Sequence, residues 1–112
     1  MTSAGEFEVA VRPLPKGGTL VRVSGELDLA TAPDVEKTLS EADLASTLVF
    51  DLTECGFIDS TGVRVLLATA AKAGETGGKV SVVAPDPAVR RALEIAGLGA
   101  VLPIHTTVAA AI

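Results

Sequence analysis

The sequence predicts a single α/β domain with a mostly parallel mixed sheet, an antiparallel first strand and packed helices. Short apolar strand patterns alternate with amphipathic helical patterns along the chain, which is typical of right-handed crossovers and a parallel sheet. The first two strand patterns instead follow one another across a turn rich in Pro and Gly, which predicts an antiparallel hairpin. The 112 residues match the size of one domain, so residues 1–112 are treated as one unit.

The hairpin is predicted from alternation. Phe7–Arg12 places Phe7, Val9 and Val11 on one face, and Thr19–Ser24 forms the second strand after the turn at 13–18.

The first helix is predicted to begin at Thr31. This residue is a favoured N-cap type, and Asp34 three positions later resembles a capping box. Apolar residues follow at helical spacing: Val35, Leu39 and Ala42.

The middle of the chain predicts a strand, a helix and a strand. Leu48–Leu52 is a short apolar run typical of a buried strand, and Val80–Ala84 is a second. Ser60–Ala73 carries an apolar stripe at helical spacing, and Gly74 is the expected stop.

The last third predicts a helix, a short strand and a terminal helical turn. Asp86 precedes Pro87 as an N-cap, and Gly97 is expected in the left-handed position that ends the helix, followed by Leu98 as its apolar contact. Val101–Ile104 is the expected last strand, with one or two helical turns over 107–112.

Composition and charge exclude several function classes. Hydrophobic residues make up 48% and charged residues 21%, which argues against disorder. The net charge is −5 and the only aromatic residues are three Phe, so nucleic-acid binding is not expected. Residues 1–59 carry 11 acids and 4 bases, which leaves two interpretations open: an ordinary solvated surface, or an acidic face that attracts a basic partner.

Neither a membrane span nor a secretory signal is expected. The longest uncharged stretch, Ile95–Ile112, contains Gly97, Gly99 and Pro103, and the N-terminus lacks a basic region. The single cysteine, Cys55, cannot form an internal disulfide, so a cytoplasmic location is expected.

Isolated reactive residues give little indication of chemistry. His105 is the only histidine, which excludes a multi-histidine metal site, and it is expected on the surface or in a loop. Ser60 has no hydrolase motif around it. Cys55 is expected to be small and buried or half-buried, Gly77–Lys79 to be a turn, and Arg90–Arg91 a solvated helix face.

The segment Phe57–Gly62 is the most informative, because it joins a strand to a helix. The first N–H groups of a helix lack intrahelical partners and favour negative charge, so a phosphate on Ser60 would be well placed there. Gly62 allows another backbone to approach closely. Ordinary capping by Asp59 or Ser60 is the alternative interpretation.

Three stretches together resemble anti-sigma-factor antagonists of the STAS-domain family over nearly the whole chain. They are Gly25–Asp28, Phe57–Val63, and Pro87–Arg91 with Ala96–Leu98. One departure is visible, since Val63 stands where leucine is usual after the motif glycine.

The resemblance implies a regulatory switch that is not an enzyme and needs no cofactor. An anti-sigma factor with serine kinase activity would be the partner, Ser60 its phosphoacceptor, and a serine phosphatase would reset the switch. The unphosphorylated protein would bind the anti-sigma factor and free the sigma factor. The expected partner-binding residues are Asp28, Asp59, Thr61, Gly62 and Arg64, of which Arg64 would tune partner choice. The alternative is a STAS accessory subunit of a membrane transporter, since the same fold is used there.

Overall fold

A computed structural model describes residues 6–112, and within that range six strands form one mixed sheet. The strands are β1 (Glu8–Pro13), β2 (Thr19–Leu27), β3 (Thr47–Asp51), β4 (Cys55–Ile58), β5 (Lys79–Val83) and β6 (Ile104–His105). The helices are α1 (Ala32–Leu39), α2 (Ser60–Glu75), α3 (Pro87–Ile95) and α4 (Val108–Ala111), with a 3-10 turn at Leu98–Ala100.

The sheet has the order β1-β2-β3-β5-β6, and β4 pairs with the last part of β2. β1 and β2 are antiparallel, and every other pair is parallel. The predicted fold class and the hairpin are therefore confirmed. Parallel strands collect the turns that follow them at one edge, so the turns after β2, β4 and β5 meet there.

Two features of the sheet differ from expectation. The prediction lacked β4, because this four-residue strand contains Gly56 and has buried ends with an exposed middle, which gives no alternation. Residues 25–27 belong to β2, where the pairing with β4 shifts register between Gly25 and Glu26.

The last strand was predicted at Val101–Ile104, and of these residues only Ile104 belongs to it. A 3-10 turn follows Gly97, and the Leu102 N–H donates to the Leu98 carbonyl, so Val101 and Leu102 lie before the strand. The Pro103 carbonyl already accepts a hydrogen bond from the Val82 N–H of β5 at 3.0 Å. The strand begins only at Ile104 and ends at His105. The histidine is therefore half-buried in a strand rather than in a loop or on an open surface.

The ends of α3 agree with the prediction. Asp86 Oδ1 accepts hydrogen bonds from the N–H groups of Ala88 and Val89, at 2.8 and 3.2 Å. Gly97 has a φ of +79°, and Leu98 behind it is fully buried.

Most of the core lies on one face of the sheet, between the strands and helices α1, α2 and α3. Phe50, Leu66 and Leu93 are fully buried there. A smaller cluster on the other face joins Leu14, Leu20, Val49 and Val83 to α4.

No helix within residues 6–112 combines the length and apolar character that a bilayer span requires. The expectation of no secretory signal rests partly on residues 1–5, which lie outside the described residues.

Candidate functional site

The site is built around the N-terminus of α2. Asp59 has an extended backbone, with φ −106° and ψ −176°, and its Oδ1 accepts a hydrogen bond from the Gly62 N–H at 3.0 Å. Of the two capping residues considered from the sequence, Asp59 is the cap and Ser60 is the first residue of the helix.

Asp59 also ties the helix to the turn after β2. Its Oδ2 accepts a hydrogen bond from the Leu29 N–H at 3.1 Å, and its own N–H donates to the Leu27 carbonyl at 3.2 Å. Both oxygens of the carboxylate therefore have partners inside the protein, and the start of α2 is fixed relative to the turn that carries Asp28.

Asp28 organises that turn, which leads into α1, and its backbone carbonyl accepts a hydrogen bond from the N–H of Ala32, the first residue of the helix, at 2.8 Å. Asp28 Oδ1 accepts hydrogen bonds from the N–H groups of Ala30 and Thr31, at 3.0 and 3.1 Å. Thr31 occupies the N-cap position but has helical backbone angles and no side-chain cap bond, so the predicted capping box is wrong. Its hydroxyl donates instead to the Glu26 carbonyl at 2.7 Å.

Gly62 is required by close packing. A Cβ at this position would lie 2.6 Å from the Leu27 carbonyl oxygen and 2.8 Å from Ile58 Cγ1. Gly62 is buried, so its observed role is to let α2 approach the end of β2, and its contact with a partner stays a prediction.

The remaining expected site residues lie at or near the surface. Ser60 and Arg64 are exposed and Thr61 is half-buried. Ser60 and Arg64 are four positions apart on α2, so they share one face of the helix.

The first turn of α2 has N–H groups with and without partners. The Asp59 carboxylate accepts a hydrogen bond from the Gly62 N–H, and the Asp59 backbone carbonyl accepts one from the Val63 N–H. The N–H groups of Ser60 and Thr61 have no acceptor within residues 6–112, which leaves a small electropositive end beside the Ser60 hydroxyl.

Two exposed apolar side chains flank this position and were missed from the sequence. Leu29 is 73% exposed in the turn after Asp28, and Phe57 is 49% exposed on β4. Phe57 begins one of the motif stretches and Leu29 directly follows another, but a hydrophobic residue at either position is equally compatible with the core. Large exposed apolar groups near a polar site are typical of a protein-binding surface.

The other candidate residues take structural roles. Cys55 is buried as expected, and burial raises the pKa of its thiol. Arg90 Nη1 donates to the Pro85 carbonyl at 3.4 Å, whereas Arg91 is exposed. Within residues 6–112, no three His, Cys, Asp or Glu side chains are grouped as metal ligands would be.

Comparison with known proteins identifies the same family that the three motif stretches resemble. The family model described as the STAS domain matches residues 7–111. The anti-sigma-F factor antagonist RsfB of Mycobacterium tuberculosis is 34% identical over 93 residues, covering 81% of this chain and 75% of that protein.

Solved structures share the fold. The crystal structure of an anti-sigma factor antagonist from Mycobacterium paratuberculosis aligns with a TM-score of 0.79 and 31% identity, covering 99% of this chain and 95% of that one. The Bacillus cell fate determinant SpoIIAA in its phosphorylated form aligns with a TM-score of 0.68 and 21% identity, covering 92% of this chain and 96% of that one. The family match, the relatives and the antiparallel-first mixed sheet agree, and the chain belongs to the STAS-domain family.

Proposed function

We propose that this protein is an anti-sigma-factor antagonist controlled by phosphorylation of Ser60. In the unphosphorylated form it binds an anti-sigma factor that is also a serine kinase, which frees the sigma factor. The kinase phosphorylates Ser60 and releases the complex, and a serine phosphatase restores the binding form. The protein acts in the cytoplasm as a substrate and ligand, and it catalyses no reaction itself.

The observation that carries the proposal is the position of Ser60. It is exposed, it is the first residue of α2, and the N–H groups of Ser60 and Thr61 find no acceptor in the described part of the chain. A kinase can therefore reach the hydroxyl, and the product phosphate meets a favourable local field. Relatives named as anti-sigma-F factor antagonists, at up to 34% identity, support the class of partner.

The binding surface is the edge of the sheet around Ser60. We assign to it the exposed side chains of Leu29, Phe57 and Arg64, together with the carboxylate of Asp28. Buried apolar side chains supply much of the affinity of a protein–protein contact. A partner that packs on Leu29 and Phe57 would also cover Ser60 and exclude water from its hydroxyl. A phosphate carries about −1.5 to −2 charges, so burying it against the same partner is strongly unfavourable.

The deciding experiment is phosphorylation by candidate anti-sigma kinases with ATP, followed by mass mapping of the modified residue. We expect one phosphate on Ser60, no labelling of Ser60→Ala, and normal labelling of the neighbour variant Thr61→Ser. The phosphorylated protein should lose most of its affinity for the kinase.

Two results would contradict the proposal. One is a phosphate on Thr61 with Ser60→Ala still labelled, and the other is equal affinity of both forms for the anti-sigma factor. Capture of a membrane ATPase from lysate in place of a kinase-like protein would instead favour the transporter accessory subunit.

A further inference from the structure

A cavity separate from the surface around Ser60 lies at the opposite edge of the sheet. It has a volume of about 700 Å³ and lies at the start of β3 and β5, bounded by the turn at 14–17, the last turns of α2, the segment 101–103 and the C-terminal residues Ala111 and Ile112. Along α2, at roughly 1.5 Å per residue, the lining residues Ala70 and Gly74 lie about 15 and 20 Å from Ser60. The residues assigned to partner binding do not line it.

The cavity exists because β6 is short. β6 pairs only with Val82 and Val83, so residues 79–81 of β5 have no strand beside them on that side. The wall formed by α2 is made of small residues, Ala70 and Gly74, and a Cβ added at Gly74 would meet nothing within 4 Å. Space that a longer strand or larger side chains would fill stays open.

Its lining is apolar inside and basic at one end. Val80, Leu102 and Ala70 contribute the inner walls. Lys16 and Lys79 stand where this cavity meets a smaller hollow of about 350 Å³, which also contains Ser46 and Thr47. No Asp or Glu side chain lines either space, although acidic side chains outnumber basic ones 14 to 9 in the chain. Within residues 6–112, the single salt bridge joins Arg22 to Asp51, so both lysines are unpaired.

We propose that this cavity binds an aliphatic carboxylate, with the hydrocarbon chain inside and the carboxylate between Lys16 and Lys79. The volume falls in the range of about 300–1,000 Å³ typical of small-ligand sites. The aliphatic walls suit a flexible hydrocarbon chain, and two ammonium groups supply charge-assisted hydrogen bonds to a carboxylate. The proposal does not depend on the role of Ser60.

The test is calorimetric titration of the full chain with decanoate, kept below its micelle concentration, and with decanol as the uncharged probe. We expect saturable one-to-one binding of decanoate and at least about tenfold weaker binding of decanol, since a charge-assisted hydrogen bond is lost. Lys16→Ala/Lys79→Ala should weaken decanoate binding by about tenfold or more. The matched control Lys37→Ala/Lys72→Ala removes the same charge from residues outside the cavity and should leave binding unchanged.

A filling variant tests the cavity itself. Gly74→Leu projects a side chain into open space, so we expect a folded protein, with a melting temperature no lower than that of the natural sequence, that no longer binds decanoate. The proposal is overturned if the natural sequence fails to bind decanoate, if both lysine pairs weaken binding equally, or if folded Gly74→Leu binds as tightly as before. If decanol binds as tightly as decanoate, the carboxylate is not recognised, and this result also overturns the proposal.

Discussion

Asp59 accepts a hydrogen bond at 3.1 Å from the backbone N–H of Leu29, a residue 30 positions away in the chain. The same carboxylate caps α2 through Gly62, so one side chain joins the helix start to the turn after β2. Since Asp28 precedes Leu29 in that turn, the two aspartates expected at the partner surface are held in one unit. Asp59 therefore positions the surface, whatever contact it makes with a partner.

Replacing Asp59 with Ala should loosen both sides of this unit. We expect a loss of about 1–2 kcal/mol in the free energy of unfolding, as for other N-cap removals, and faster amide exchange at Leu29. Asp59→Asn keeps one acceptor oxygen and should cost less. Asp86→Ala, which removes the cap of α3, is the control. It should lower stability without changing the amide exchange rate at Leu29. An exchange rate at Leu29 that is the same in Asp59→Ala as in the natural sequence would contradict the coupling between the start of α2 and the turn after β2.

Gly62 and Gly74 lie on the same helix, and their replacement by Ala should have opposite effects. At Gly62 the added methyl group meets the Leu27 carbonyl oxygen at 2.6 Å, so we expect a loss of about 1–3 kcal/mol from overpacking. At Gly74 there is open space, and Ala should leave stability unchanged or raise it by up to about 1 kcal/mol. Urea denaturation measures both, and a tolerated Gly62→Ala would refute the packing role.

Asp28 can be tested apart from its structural role. Asp28→Asn keeps an acceptor at Oδ1, so the turn over Ala30 and Thr31 should persist while the negative charge is lost. We expect affinity for the anti-sigma partner to fall by about fivefold or more, or about 1 kcal/mol, as for a charged interface contact.

The matched control for Asp28→Asn is Asp43→Asn. Asp43 also holds an exposed turn, through the Ala45 N–H at 2.9 Å, but it follows α1 at the other edge of the sheet. Its replacement should leave affinity unchanged. Surface plasmon resonance at low salt would measure both variants, and equal losses would show that Asp28 acts only through overall charge.

The sequence was sufficient for strands β1, β2, β3 and β5 and for both ends of α3, because local chemistry decides them. Asp86 before Pro87 and Gly97 after α3 are local signals, and both behave as expected. β4 and the short β6 are decided by pairing with distant strands, which no local pattern encodes. The exposure of Leu29 and Phe57 was also hidden, because an apolar residue gives no sign of whether another element covers it.

The same limit applies at the site. Ser60 could be singled out because a strand-to-helix junction with Asp and Gly is a local signal. The failure of Thr31 to cap α1 could not be found from the sequence, because its hydroxyl donates instead to the Glu26 carbonyl near the end of β2. The hydrogen bond from Leu29 to Asp59 depends on β4 lying beside β2, and that strand was itself unpredicted.

The buried thiol of Cys55 should make stability depend on alkaline pH. Burial raises its pKa in the folded state, so above the unfolded value of about 8.5 the unfolded chain loses this proton first. The unfolded state then binds fewer protons, and the free energy of unfolding falls as pH rises from about 8.5 toward the folded pKa. Cys55→Ala should show a shallower fall over that interval in urea denaturation, and an identical slope would contradict the assignment.

Phosphorylation of Ser60 should leave the fold intact and create a new interaction with Arg64. At the first position of α2 the phosphate gains about 0.3–1 kcal/mol from the helix dipole, which offsets repulsion from neighbouring Asp59. Arg64 lies four positions further on the same face and can pair with it. We therefore expect a melting temperature within a few degrees of that of the unmodified protein.

Arg64 gives this expectation a quantitative test. Arg64→Ala should destabilise the phosphorylated form more than the unmodified form, by about 0.3–0.5 kcal/mol or somewhat more for a dianion. Arg91→Ala, an exposed arginine on α3, should affect both forms equally. Denaturation of the natural protein and of Arg64→Ala, each with and without the phosphate on Ser60, gives the four free energies of unfolding of a double-mutant cycle. The cycle isolates the interaction between Arg64 and the phosphate. A coupling of zero would show that Arg64 is left free in the phosphorylated form, and global unfolding on phosphorylation would show that the switch acts by disrupting the domain.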